Sequence, residues 1–259
     1  MQERHTNLQR YFNEQAVTTK KFVIPYIEQQ RPVTKGVRVL EIGCGTGGNL
    51  VPFLEAGCIV TGVDIAEKSI ELARELLGNR EGLTLIADDI YNRTERDGLF
   101  DVIIMRDVIE HIHDQEKFMG FVKRFMAPGA VFFLAFPPWY NPFGGHQQIA
   151  RNRFLSKLPY YHILPRFIYK GILRTGGESQ KTVDDLLEIK QTGISLERFE
   201  KICRSEQFII AQKTLYFINP NYETKFGLKP RVQWSWLTSI PFVRNFVVTA
   251  GYYLLRINS

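Results

Sequence analysis

The stretch Arg38-Val-Leu-Glu-Ile-Gly-Cys-Gly-Thr-Gly-Gly-Asn49 decides the fold, because a short apolar run in it ends in a cluster of glycines. Val39, Leu40 and Ile42 predict a buried strand, and the glycines predict a turn with positive φ or close backbone approach. Residues 49–56 predict the helix that follows. A strand, a glycine turn and a helix N-terminus present free backbone N–H groups above the strand end, so this stretch predicts a nucleotide-sized binding cradle.

Two classes of ligand fit these glycines. Gly43, Gly45 and Gly48 satisfy the G-x-G-x-x-G dinucleotide fingerprint, and Asp64 lies at about the 20-residue offset of a ribose-binding acid. Glu41 favours the other class, because a carboxylate at the strand end repels a pyrophosphate and suits a ligand with a cationic amino group. S-adenosylmethionine (SAM) is such a ligand, with an ammonium, a sulfonium and no phosphate.

The pattern Glu-x-Gly-x-Gly-x-Gly over residues 41–47 resembles the class I SAM-dependent methyltransferases. A second segment, Asp107-Val-Ile-Glu-His-Ile112, resembles the strand-four segment of the quinone-biosynthesis O- and C-methyltransferases and their small-molecule relatives. The resemblance covers residues 36–137 well and 195–259 loosely. It implies an α/β, Rossmann-like, doubly wound sheet of seven strands, with the last strand antiparallel and paired between strands five and six. Alternating strand and helix patterns predict the same parallel, doubly wound architecture.

The resemblance implies SAM as cofactor and S-adenosylhomocysteine as its product. Asp64 would accept hydrogen bonds from the ribose hydroxyls, or it only caps the helix that begins near Ala66. Asp88 or Asp89 would accept from the adenine amino group. Tyr11 either touches the cofactor or packs on the core, and Ile90 offers an apolar side to the adenine ring. The predicted cofactor-binding residues are Tyr11, Glu41, Gly43, Cys44, Gly45, Gly47, Asp64, Ile65, Asp88, Asp89, Ile90 and Arg106.

Three residues are candidates for the chemistry. Methyl transfer to a hydroxyl needs positioning and removal of a proton, and the pKa of histidine lies near neutrality. His111 follows the fourth strand, where the resemblance directs the transferable methyl group, and His146 lies in a loop dense in aromatic residues. Glu110 would orient a histidine, or help to bind a divalent metal as in some quinone O-methyltransferases; we predict no metal ligands. Each histidine also has a purely structural interpretation, as a helix-start residue or a loop hydrogen-bonder.

Composition restricts the class of protein. The chain has 259 residues, 44% of them hydrophobic, which is ample for a packed core. Cys44, Cys58 and Cys203 are an odd, scattered set, which argues against disulfides and a zinc site and favours a reducing cytoplasm. Residues 1–15 are polar and predict no signal peptide. The window 236–255 is interrupted by proline, arginine and asparagine and is not expected to span a membrane.

We predict a single domain over residues 1–259, with a helical cap over 1–35 and a substrate lid inserted at 138–194. The formal charge of +6 is uneven, since the basic surplus lies after residue 130. No Asp or Glu occurs over residues 130–177, where cations alternate with aromatic and aliphatic residues. A solvated helical face, an anionic or membrane-borne substrate, and single-stranded RNA would each explain this pattern.

The sequence therefore leads to a SAM-dependent methyltransferase that acts on the oxygen of a small-molecule or lipid-like acceptor, such as a quinone precursor or a glycan or lipid intermediate. An RNA methyltransferase is the enzymatic alternative. A protein that binds SAM without transferring methyl, as a scaffold or sensor, is the alternative from another class. We expect a cytoplasmic protein with peripheral membrane contact through the basic insertion, no obligate protein partner, and nucleic acid as the less favoured ligand.

Overall fold

The structure, a computed structural model, describes residues 8–94 and 98–257 as a sheet with helices on both faces. The strands are β1 Arg38–Ile42, β2 Ile59–Asp64, β3 Leu83–Ala87, β4 Phe100–Arg106, β5 Met126–Phe136, β6 Phe208–Ile218, β7 Arg231–Val232 and β8 Ala250–Ile257. The helices are α1 Leu8–Thr18, α2 Ile24–Glu28, α3 Val51–Glu55, α4 Glu67–Leu77, α5 Gln115–Val122, α6 Arg166–Thr175, α7 Gln180–Thr192, α8 Leu196–Ser205, α9 Asn221–Phe226, α10 Ser235–Thr238 and α11 Arg244–Val247.

The sheet order is β3-β2-β1-β4-β5-β8-β6-β7. The first five strands pair in parallel, and β8 runs antiparallel to both β5 and β6. The predicted doubly wound order and the position of the antiparallel strand are therefore confirmed. Since parallel strands share one carboxyl edge, the ends of β1, β2, β3 and β4 converge there.

The predicted number of strands is wrong, because the described part of the chain forms a sheet of eight strands rather than seven. The additional strand, β7, has two exposed residues and pairs antiparallel with the edge strand β6. Two residues are too few to show the period-2 alternation from which a strand is predicted.

Alternating residues of the central strands face two separate cores. Ile103 and Met105 pack with α5 and α8 on one face, while Val102 and Ile104 pack with the N-terminal helices, α3 and α4 on the other. This arrangement explains why these strands read as continuous apolar runs. The predicted N-terminal helices are present: α1 lies against the turn after β1, where the carbonyl of Phe12 leaves no room for a Cβ at Gly48. Residues 1–7 of the predicted cap lie outside the described residues.

The insertion between β5 and α8 has a hydrophobic core of its own. Trp139, Tyr161, Tyr169, Leu173 and Leu186 are among its buried members. A hydrogen bond from Trp139 N to the carbonyl of Ile194 joins its two ends. Thr192 links it to the rest of the protein, because its hydroxyl donates to the carbonyl of Glu110 and its carbonyl accepts from Gln115 Nε2. Part of the apolar pattern that predicted a lid surface therefore forms an interior.

Candidate functional site

A cavity of about 600 Å³ opens at the carboxyl ends of β1, β2 and β4. Most of the predicted cofactor-binding residues line it, together with one predicted catalytic residue. Those lining residues are Tyr11, Gly43, Gly45, Asp64, Ile65, Asp88, Asp89, Ile90, Arg106 and His111. The fold thus brings together side chains from six separate segments of the chain, as expected for the switch point of a doubly wound sheet.

Gly45 and Asp64 form the floor of the cavity. Gly45 has a φ of 53°, and an added Cβ would point into open space, so its backbone is exposed to a ligand. Its N–H donates to Oδ2 of Asp64 over 2.7 Å, and the N–H of Ala66 donates to Oδ1 over 2.8 Å. The Asp64 carboxylate therefore holds the start of the next turn, as expected if it caps the segment near Ala66. It also faces the cavity. Both oxygens retain a lone pair for a ligand hydroxyl.

Asp88 and Asp89 lie after β3 and differ in their hydrogen bonds. Oδ1 of Asp88 accepts from Asn92 Nδ2 and from Asp89 N, each over 2.8 Å, and the bond from Asn92 lowers the pKa of Asp88. Oδ1 of Asp89 accepts from the N–H of Tyr91 over 2.9 Å. Asp88 is thus the more fully bonded of the two, which leaves Asp89 the better placed to accept from a ligand.

A buried polar network lies behind the glycine turn and connects four segments. Arg106 donates to Asn49 Oδ1 over 2.7 Å, to Thr19 Oγ1 over 3.0 Å and to Asn221 Oδ1 over 2.6 Å. Asn49 in turn donates from Nδ2 to Glu41 Oε1 over 2.6 Å. The network fixes the guanidinium of Arg106 at the cavity wall, where it presents positive charge.

Glu41 lies in this network and not among the lining residues, although the sequence predicted contact with a cationic group of the ligand. The side chain is buried, and burial raises its pKa to about 8, against the lowering effects of Asn49 and Arg106. A carboxyl that is largely protonated at neutral pH is a poor partner for an ammonium group. Its position under the turn indicates a role in holding Asn49.

Cys44 and Gly47 are also absent from the cavity lining. Cys44 is buried, and burial raises the pKa of its thiol above the ordinary value. Gly47 packs against α4, because an added Cβ would lie 2.7 Å from Leu77 Cδ1. Both residues shape the turn from behind.

The predicted catalytic residues form one cluster beside the cavity. His111 lines the wall, and its ring centroid lies 5.1 Å from that of His146 in an edge-to-face arrangement. Nε2 of His146 lies 3.6 Å from Oε1 of Glu110, which is buried. Neither carboxylate oxygen of Glu110 accepts a hydrogen bond from the residues that the structure describes. Glu110 and His146 themselves stand behind the lining.

The two histidines have opposite pKa shifts. The imidazole of His111 faces the cavity, yet the surrounding protein removes part of its solvation and lowers its pKa, with Glu110 opposing this shift. Burial also disfavours charged His146, but the Glu110 carboxylate, 3.6 Å from Nε2, outweighs this effect and raises the pKa of His146. At neutral pH, His111 is therefore the more fully neutral of the two and is available to accept a proton.

The same cluster satisfies the requirements of a cation site. Glu110, His111 and His146 each offer a ligand atom, and these atoms lie within 4.8 Å of one another. Imidazole nitrogens with a carboxylate oxygen suit zinc and other first-row divalent ions. The structure does not test the prediction that these residues bind no metal, so it stays a prediction.

The aromatic loop after β5 packs on the protein and does not wall the cavity. Trp139 is buried against His162, with ring centroids 4.7 Å apart, and Tyr140 contacts Phe242 at 5.2 Å. Within residues 8–94 and 98–257, none of the lining residues belongs to the insertion at 138–194. The insertion approaches the cavity through His146, so its role as a lid stays a prediction.

Sequence reasoning missed the contribution of α9. Asn221, Thr224 and Lys225 were not among the predicted site residues, but they lie on this short helix and line the cavity. Six residues are too few to show helical periodicity. Pro220 before the helix and Gly227 after it were the available signal, since proline favours helix starts and glycine favours helix ends.

Comparison with protein families places the fold and the site in context. A model of the methyltransferase domain matches residues 8–176 of the chain. A ubiquinone biosynthesis O-methyltransferase of Mesorhizobium japonicum is 34% identical over 107 residues, which are 39% of this chain and 41% of that protein. A protein of the same name from Bartonella bacilliformis is 29% identical over 161 residues, or 58% of this chain and 62% of that protein. The matched part thus spans less than two thirds of either relative.

Solved structures agree with the architecture. The plantazolicin methyltransferase BpumL in complex with SAH superposes with a TM-score of 0.57 at 14% identity, over 99% of this chain and 87% of that chain. Phosphoethanolamine N-methyltransferase 2 of Haemonchus contortus, in complex with SAM, gives a TM-score of 0.55 at 17% identity, over 90% and 51%. At such identities the likeness concerns the fold alone. In the described parts of the chain, no helix combines the length and apolar character needed to cross a membrane.

Proposed function

Because this chain belongs to the methyltransferase domain family, we propose that it is a SAM-dependent methyltransferase acting on an oxygen of a small-molecule or lipid-like acceptor. One observation carries the proposal: a cavity of about 600 Å³ places Gly45, Asp64, Asp89 and His111 on a common wall. Its size lies within the range of about 300–1,000 Å³ that is usual for small-molecule sites. The ubiquinone O-methyltransferase relatives support a quinone precursor as the acceptor class.

The cavity offers a complementary group for each part of SAM. Asp64 would accept from the ribose hydroxyls, and Asp89 from the adenine amino group, with Ile90 against the ring. Arg106, held by Asn49 and Asn221, would attract the carboxylate of the methionine part. Arg106, one of the predicted cofactor-binding residues, lines the cavity, whereas Glu41, which was predicted to contact the ammonium group, does not.

The protein itself has to supply only positioning and proton removal. When bound, SAM supplies an electrophilic methyl group on sulfur with an excellent leaving group. His111 would remove the proton of the acceptor hydroxyl, because its lowered pKa keeps the imidazole neutral at physiological pH. The His146–Glu110 pair would position His111 and stabilise the imidazolium that forms, since Glu110 lies close to both rings.

If a divalent cation is held by Glu110, His111 and His146, it would polarise the acceptor oxygen and make its proton more acidic. In that case His111 is a ligand and not a base. The two arrangements use the same residues, so they are distinguished by metal dependence and not by mutation alone.

Calorimetry with SAM and with S-adenosylhomocysteine tests the first half of the proposal. We expect both to bind, and Asp64→Asn to weaken SAM binding about tenfold because a charge-assisted hydrogen bond is lost. Glu67→Gln on the exposed start of α4 is the matched control and should bind as the wild type does. Absence of binding at millimolar SAM would refute the assignment.

A methyl-label transfer screen over quinol, sugar, lipid and RNA pools tests the second half. We expect label in a quinol or lipid pool. Transfer to RNA would favour the alternative enzyme, and binding of SAM without transfer to any pool would favour a scaffold or sensor.

A further inference from the structure

Two parts of the chain carry cations and no acidic residue. One is residues 130–177, and the other is residues 224–259, which contain Lys225, Lys229, Arg231, Arg244 and Arg256. They are separated by about a fifth of the chain, and the sequence does not show whether they meet. The charge pattern alone is compatible with several ligands.

The fold brings the two parts together. Tyr140 lies 5.2 Å from Phe242 and 5.5 Å from Phe246 between ring centroids. The hydroxyl of Tyr160 donates to the carbonyl of Phe246 over 3.1 Å. The insertion therefore supports the segment that precedes β8 and holds it at the protein surface.

That segment exposes an unusual amount of apolar side chain. Trp234 and Trp236 are 56% and 62% exposed, and their rings stack with centroids 6.2 Å apart. Other exposed apolar residues of the same segment are Phe226, Leu228, Val232, Ile240, Phe242 and Val243. We call residues 226–243 the tryptophan surface. Clusters of this kind on a soluble domain mark an interaction site.

The charges around the tryptophan surface are positive. Lys229 and Arg231 are exposed within it, and the guanidinium of Arg231 lies 5.5 Å from the ring centroid of Trp234. Two acids lie near the segment, and both are paired. Glu197 accepts from Arg244 over 2.7 Å and from the N–H of Phe242, and Glu223 on α9 forms an ion pair with Lys21. An exposed apolar surface that carries cations is complementary to a partner with an apolar interior and a negatively charged outer layer.

The tryptophan surface also borders the cavity. It begins at Phe226, the last residue of α9, and α9 contributes Asn221, Thr224 and Lys225 to the cavity lining. A partner seated on the surface therefore lies close to the part of the cavity lining that α9 forms.

We propose that the tryptophan surface docks this protein on an anionic phospholipid bilayer, with Trp234 and Trp236 in the interfacial layer and Lys229 and Arg231 at the headgroups. Tryptophan prefers the membrane interface, and each nearby Lys or Arg adds attraction to anionic lipid. The earlier expectation placed membrane contact in the 138–194 insertion, whereas the exposed tryptophans lie outside it. The proposal does not depend on which acceptor is methylated.

Vesicle binding of the full chain tests this assignment. We use phosphatidylcholine vesicles with and without phosphatidylglycerol, and follow tryptophan emission with acyl chains brominated near the headgroup. Trp139 is buried, so Trp234 and Trp236 report the contact. We expect a blue shift and quenching with anionic vesicles, weakened by about 0.5 M salt through screening.

Two variants with matched controls localise the contact. Trp234→Ser/Trp236→Ser should lower the partition coefficient about tenfold, as measured by co-sedimentation, whereas Ile59→Ser, at an exposed position at the start of β2, should not. Lys229→Glu should weaken binding to anionic vesicles, whereas Lys35→Glu, an exposed charge before β1, should not. Thermal midpoints confirm that each variant folds.

Three results would overturn the proposal. The first is no binding of the wild type to anionic vesicles at low salt. The second is equal binding of the double tryptophan variant. The third is evidence that the tryptophan surface binds another partner. In that case the double variant loses self-association or RNA binding, while its vesicle binding is unchanged.

Discussion

His146 reaches from the loop after β5 to Glu110 beyond β4, and brings Nε2 to within 3.6 Å of Oε1. The backbone of His146 has a φ of 54°, in the left-handed region that a residue with a Cβ rarely adopts, so the loop holds this histidine in a specific orientation. The pair lies directly behind His111, whose ring faces the cavity. One histidine is therefore placed to react and the other to support it.

Replacing His111 separates chemistry from cofactor binding. In the proposed mechanism His111→Ala lowers turnover about 100-fold or more, because positioned proton removal contributes about that much, while SAM affinity stays within about threefold. Single-turnover label transfer and calorimetry measure the two quantities. Glu116→Gln, on the exposed first turn of α5, is the control. Retained turnover in His111→Ala would remove the base assignment.

Glu110→Gln should lower the pKa of both histidines. The negative charge of the carboxylate raises the pKa of His146 and opposes the lowering of the pKa of His111. Removing the charge therefore moves both titrations to lower pH, which NMR of the imidazole protons detects. An unchanged His146 titration would show that the pair is not formed in solution.

Glu41 should make stability depend on pH in an unusual direction. Its carboxyl has a pKa of about 8 in the fold against 4.5 when unfolded, so its stabilising contribution is complete below pH 4.5 and is lost as the pH rises to about 8. Glu41→Gln cannot titrate, so the free energy of unfolding of wild type relative to the variant should fall across this window. Denaturant titrations at several pH values measure it, with exposed Glu28→Gln as control. A flat difference would contradict the raised pKa.

Asn221→Ala tests the connection between α9 and the polar network. The substitution removes the acceptor for Arg106, a charged group that is 9% exposed, and should lower the free energy of unfolding by about 2 kcal/mol. It should also weaken SAM binding, because the guanidinium loses one of its supports. Chemical denaturation measures the first effect, with exposed Asn13→Ala as the control. No change in stability would mean that water replaces the amide at little cost.

Metal dependence distinguishes the two uses of the histidine cluster. We predict that protein treated with EDTA retains turnover, because neutral His111 and the His146–Glu110 pair are sufficient for proton removal. Label transfer before and after treatment measures this. Turnover that vanishes and returns with Mn²⁺ or Zn²⁺ would instead assign Glu110, His111 and His146 as metal ligands.

Local signals predicted much of the fold and the site. The apolar run Val39 to Ile42 and the glycines after it predicted the first strand and its turn. A buried strand requires consecutive apolar residues, and a left-handed turn favours glycine, so both can be recognised in a short stretch of sequence. Asp64, Asp89 and His111 were predicted because they lie at or after the ends of strands that the periodicity identifies, at positions that the family resemblance implies. The sequence did not identify α9 or β7, since elements of six and two residues are shorter than the periods that reveal them.

By itself the sequence determined the doubly wound sheet, the family and the residues at the strand ends, because these depend on short-range patterns that hydrophobic burial enforces. Only the tertiary structure decided that Glu41 lies in a buried network and Arg106 at the cavity wall, that Glu110 is held against His146, and that Trp234 and Trp236 face solvent beside α9. The physical reason is that burial, pKa and charge pairing depend on neighbours that lie far apart along the chain.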